Sequence, residues 1–90
     1  MAKIYKTNGE VLDIEPKNGK DFSLEELQAV VGGYIEIAEM KGGEFMVINE
    51  EGKLEGLPFN EKATELYQKK VYQGDFIVGD VLVCKKSQVK

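Results

Sequence analysis

The sequence predicts an α+β domain, an antiparallel sheet of about five to seven short strands with two helices packed on it. Three observations carry this expectation. Short β-prone runs flank Asn8-Gly9 and Gly42-Gly43, dipeptides that favour hairpins. Two amphipathic stretches, each opened by a capping residue, separate those runs from one another and from the C-terminal third. Finally, Ile77 to Cys84 is almost wholly apolar, as expected of a central strand.

The first hairpin is expected over Ala2 to Glu15. With Asn8-Gly9 as a two-residue turn, Tyr5 faces Leu12 and Lys3 faces Ile14, leaving Ile4 opposite Asp13. Pro16 ends the second strand, and residues 17–20 form a loop. Helix one follows, with Ser23 as N-cap, Glu26 completing a capping box and Phe22 able to staple onto Leu27. Leu24, Leu27, Val30 and Val31 share one stripe, and Gly32 supplies the left-handed cap. Gly33 serves either a tight turn or the close approach of a ligand or second backbone.

Tyr34 to Met40 and Phe45 to Asn49 read as the second hairpin. A two-residue Gly42-Gly43 turn pairs Met40 with Phe45, Ala38 with Val47, Ile37 with Ile48, Glu36 with Asn49 and Tyr34 with Glu51. Residues 50–55 then give a tight reversal and a short strand, and 56–59 an extended connection. Asn60 caps helix two, whose buried face is Ala63, Leu66, Tyr67 and Val71. Glu61, Lys62, Thr64, Glu65, Gln68 and Lys69 take the other side, with Glu65 and Lys69 paired. Gln73-Gly74-Asp75 breaks that helix, and Gly79-Asp80 marks a bulge or bend before the last strand.

The 90 residues bound one domain, 1–90, with a short basic tail over 85–90. Apolar residues at 42% and charged residues at 31% fit a globular chain. No run is apolar enough to span a bilayer and no signal peptide is visible, so a cytoplasmic location is expected. The absence of histidine and the lone Cys84 exclude a disulfide within the chain, argue against zinc and remove the usual general base. Glu50 and Glu51 do not match calcium-loop spacing, so neither metal nor cofactor is expected. All 12 positive charges are lysines, which removes bidentate arginine contacts and argues against sequence-specific nucleic-acid binding. Between Glu36 and Glu61 seven glutamates stand against two lysines, so the middle of the chain is acidic.

Polar residues gather around the double glycine. Gly32, Gly33, Tyr34, Glu36 and Asn49 mark one candidate site, to which Asn60, Thr64 and Asp80 are added from the second helix start and the Gly79-Asp80 break. Each has a plainer alternative: an exposed cross-strand pair for Glu36 and Asn49, a cap for Asn60, a bulge for Asp80.

Leu27-Gln28 with Val31-Gly32-Gly33-Tyr34-Ile35-Glu36, then Val47 to Lys53, Leu57-Pro58-Phe59-Asn60 with Ala63-Thr64, and Ile77 to Val83 together resemble a small domain-of-unknown-function family found mainly in bacteriophages and mobile elements. The resemblance implies that the glycine joint, Asn49, Asn60-Thr64 and Gly79-Asp80 are characteristic positions, and it implies no established activity. By analogy with compact phage proteins that disarm bacterial immunity, the first expectation is a non-enzymatic accessory protein in the host cytoplasm. It would hold a small polar ligand, such as a nucleotide immune signal, as an anti-defence sponge. The alternative is an acidic inhibitor that binds a host protein. Homo-oligomerisation would suit a small core with open sheet edges, and no membrane partner is expected.

Overall fold

Among the described residues, five antiparallel strands in the order β2-β1-β5-β4-β3 form a sheet with one helix on each face. The structure is a computed structural model that describes residues 2–70 and 76–89, the side chains of 68–70 excepted. In chain order the elements are β1 (Ala2–Tyr5), β2 (Val11–Ile14), α1 (Leu24–Val31), β3 (Ile35–Met40), β4 (Glu44–Asn49), α2 (Glu61–Lys70) and β5 (Val81–Lys85), followed by a 3-10 turn over Lys86–Gln88. The α+β expectation holds, with the strand number at the low end of the range.

β5 lies at the centre, between β1 and β4, and Val81, Leu82, Val83 and Cys84 are all buried. Alternation along the strands sorts the core into two layers. Leu82, Cys84, Val47 and Ala2 pack with Phe22, Leu27 and Val31 on the α1 side. Val81, Val83, Met46 and Met40 pack with Ala63, Ile77, Leu66 and Tyr67 on the α2 side. A sheet covered on both faces explains why its central strand is apolar at four consecutive positions.

Both hairpins depart from the expected register by one residue, and for the same reason. Each loop holds three residues rather than two. In the first, Gly9 N–H donates to Lys6 O at 3.0 Å and Gly9 has φ 95°, a turn followed by a left-handed residue. Asn8 therefore acts through its side chain, which accepts from Glu10 N–H at 2.9 Å, instead of sitting in a left-handed turn position. The pairs become Lys3 with Asp13, Ile4 with Leu12 and Tyr5 with Val11, and a 2.6 Å ion pair joins Lys3 to Asp13. In the second hairpin residues 41–43 form the loop, with Gly42 and Gly43 both at positive φ. Glu36 consequently faces Ile48, Ile37 faces Val47, Ala38 faces Met46 and Asn49 faces Ile35. A one-residue slip exchanges the faces, so Glu36 and Asn49 lie on opposite sides of the sheet.

Helix α1 begins with the full Ser23/Glu26 capping box and ends at Gly32 in the left-handed region, φ 80°. No strand forms over Leu54-Glu55. Instead Glu55 N–H donates to Glu51 O at 2.9 Å, so residues 50–56 stay a turn, and Leu54 is 87% exposed. Before β5, Phe59 and Val78 make an isolated bridge and Gly79 turns with φ 78°, which is the bend alternative for that break. Val71, the Gln73-Gly74-Asp75 break and the Glu65 to Lys69 pairing lie outside the described residues. Among the described residues no helix is long and apolar enough to cross a membrane.

Candidate functional site

The joint after α1 is organised by Asn49. Its side chain is 6% exposed; Nδ2 donates to Val31 O at 3.2 Å and towards a Glu55 carboxylate oxygen at 3.5 Å, while Oδ1 accepts from Glu51 N–H at 2.8 Å. One amide thus ties the end of α1, the end of β4 and the 50–56 turn together. A Cβ on Gly33 would come within 3.0 Å of that Nδ2. The group that approaches Gly33 closely is therefore a side chain of the protein itself. Gly32 N–H is likewise occupied, donating to Gln28 O at 2.8 Å. Tyr34 stands beside them, 68% exposed, at a cleft of about 300 Å3 lined by Gln28, Gly33, Tyr34, Asn49, Glu51 and Glu55.

Glu36 does not reach this cleft. It borders a smaller cavity of about 150 Å3 on the α2 side with Lys53, Tyr67 and Phe76, a cavity that Asn49 also lines although its amide is spent at the joint. There Lys53 Nζ lies 4.3 Å from the Phe76 ring centroid, and Phe76 tilts against Phe59 with ring centroids 6.3 Å apart.

Asn60 and Thr64 are fasteners inside the fold. Asn60 is fully buried: Oδ1 accepts from Ala63 N–H at 3.1 Å, which caps α2, and Nδ2 donates to Tyr5 O and Gly79 O, both at 2.8 Å. Thr64, expected on an exposed face, is 5% exposed. Its hydroxyl accepts from Ile77 N–H at 2.8 Å and donates to Ile77 O at 3.3 Å. The reason is the 76–80 segment, which runs back along the start of α2 and needs a polar partner there. Asp80 accepts from Thr7 N–H at 2.9 Å, holding the first hairpin loop to the head of β5. The eight nominated residues thus divide among the joint cleft (Gly33, Tyr34 and Asn49, with Gly32 adjoining), the α2-side cavity (Glu36, with Asn49 lining it too), the interior (Asn60, Thr64) and a groove edge (Asp80).

That groove was missed from sequence. Five strands span about 19 Å and a helix about 10 Å, so the eight-residue α1 cannot cover the whole face. It packs chiefly on β3, β4 and β5, leaving the β1–β2 wing only partly covered: Ala2 is buried and Ile4 and Ile14 half-buried, while Leu12 is exposed. The result is a groove of about 660 Å3 with Ile4, Leu12 and Ile14 on one side and Ala29 and Val30 of α1 on the other. Its rim carries Glu15, Glu25, Glu26 and Asp80 against Lys6 and Lys17. Hydrogen bonds from the backbone N–H groups of Ser23 and Lys17 hold the Glu26 carboxyl below its ordinary pKa, so the rim keeps that charge. The length of α1 against the number of strands was the available signal; the register slip concealed it by placing Leu12 with Tyr5.

Cys84 is buried in the core and burial pushes its thiol up to about 11, far from thiolate reactivity. Among the described residues no three potential metal ligands converge.

A family model described as a domain of unknown function, DUF3846, matches residues 6–89. The chain belongs to that family. No curated protein and no solved structure gave a match.

Proposed function

We propose that this DUF3846 member is a non-catalytic accessory protein of phages or mobile elements that acts by occupying a host protein. The observation that carries the reading is the groove beside α1. Its floor is apolar, its rim has four carboxylates and two lysines, and its partly covered wing is two strands, or about 10 Å, across. That width suits one helix, and the charge favours an amphipathic segment with an apolar stripe and basic flanks. The chain's net charge of -4 would aid approach to such a partner. The four-motif resemblance supports the phage setting.

The test is capture from host lysate with the wild-type chain and with Leu12→Glu, followed by competition with a synthetic amphipathic helix. Loss of the captured protein on substitution, and displacement by lysine-flanked but not glutamate-flanked peptide, are expected. Identical capture by both chains would rule the groove out.

A second reading keeps a small polar ligand, such as a nucleotide immune signal, at the joint cleft. It is favoured by the exposed Tyr34 ring, a platform on which a base can stack. Glu51 and Glu55 line the same cleft and favour the amino-bearing edge of a base over its phosphates. Thermal-shift screening against nucleotides, cyclic ones included, tests it. A true ligand at one hundred times its Kd stabilises by about 2.7 kcal/mol, several degrees for a domain of this size. A flat response from every nucleotide would remove this reading and leave the first intact.

A further inference from the structure

We propose that the concave surface between the β3–β4 loop and the end of β5 binds a small ligand through a di- or triphosphate group. Lys41, Gly42 and Gly43 form one side, and Lys85, Lys86 and Ser87 the other, around about 710 Å3. The sides are fixed to each other by backbone: Lys86 N–H donates to Gly43 O at 2.8 Å, and Lys85 pairs with Glu44 in the sheet. Lys41 is far in sequence from the adjacent Lys85 and Lys86, and this closure brings it beside them.

The charge here runs against the rest of the molecule. The chain is acidic overall, yet three lysines surround this surface, and among the described residues that line it Glu44 is the one carboxylate. Lys41, Lys85 and Lys86 are exposed, and none is ion-paired with a described carboxylate. Their ammonium groups therefore remain available to an anion. The Ser87 hydroxyl adds a directional donor. No atom lies within 4 Å of where a Cβ would project from Gly42 or Gly43, so a phosphate can come against the loop backbone. Several ammonium groups around one opening match the multiple charge of a di- or triphosphate better than a single carboxylate. The site lies at the far end of the β3–β4 hairpin from Tyr34 and does not use the groove, so it stands or falls separately from the reading above.

Amide NMR of the full chain titrated with inorganic triphosphate, and in parallel with ATP, at constant ionic strength tests this. Saturable shifts confined to residues 41–44 and 85–88 are expected with both. Lys41→Gln and Lys86→Gln should each weaken the triphosphate Kd roughly two- to fivefold, while Lys20→Gln leaves it unchanged. Added salt should weaken binding as well. Spectra elsewhere in the chain report that the variants are folded. Shifts spread evenly over the surface lysines, an absence of saturation, or a Kd indifferent to Lys41 and Lys86 would overturn the proposal.

Discussion

At the level of single residues, Asn49 and Gly33 are a matched pair. The amide needs a carbonyl on α1 and the Glu51 N–H, and the space it occupies is the space a Cβ at position 33 would take. Gly33→Ala should cost about 1 kcal/mol, because a held amide must shift by a few tenths of an ångström. Asn49→Ala should cost roughly 1 to 3 kcal/mol through the buried groups it leaves unpaired. The double variant should cost less than the sum, since removing the amide relieves the crowding. Urea unfolding of the four chains gives the coupling, and simple additivity would show that Gly33 is small for another reason. Glu26 offers a second test. Its carboxyl is held down by the Ser23 and Lys17 N–H groups, so its folded pKa lies below the ordinary 4.5. The stabilisation is then fully present above about 4.5 and is lost as pH falls through the folded value. Glu26→Gln keeps a capping side chain without the titration, so the melting-point gap between wild type and variant should close on acidification from pH 6 to pH 3. A gap constant with pH would show that the charge contributes nothing.

Between elements, the strongest ties are polar and buried. α2 is anchored at its start by Asn60 and Thr64, which together bond Tyr5, Ile77 and Gly79. Thr64→Val preserves shape and leaves the Ile77 N–H and C=O without their side-chain partner, so a loss of roughly 1 to 3 kcal/mol is expected. Amide exchange at Ile77 should accelerate more than at β5, since the defect is local. Equal acceleration throughout would mean that Thr64 holds the whole fold rather than this joint. From sequence, Asn60 was legible as a cap, because capping depends on neighbours three residues away. Its two donor bonds were not, because their acceptors arrive from β1 and the 76–80 bend. The hairpins show the same division. Asn8-Gly9 and Gly42-Gly43 marked where the chain reverses, but not whether two or three residues make the loop, and that single residue decides which face every side chain takes.

For the molecule as a whole, the sheet is a covered core with one partly covered wing. The apolar run of β5 announced a strand buried on both faces, and its central place follows from that pattern. Which helix covers which face was hidden, because amphipathic stripes show that a helix packs without showing where. The partly covered wing is the consequence with functional weight. Leu12 is 42% exposed on β2, whereas Leu82, its neighbour but one across the sheet, is fully buried. Burying charge at position 82 should unfold the chain, since an isolated carboxylate is costly in an apolar core. Leu12→Glu should instead change stability by no more than about 0.5 kcal/mol, because that side chain already meets water. If the wing is kept apolar for a partner, Leu12→Glu will melt like the wild type and fail to bind. Chemical denaturation and capture measured on the same preparation separate the two roles. A variant that loses stability and binding together would place Leu12 in the core, and the wing would then be an exposed part of that core rather than a docking surface.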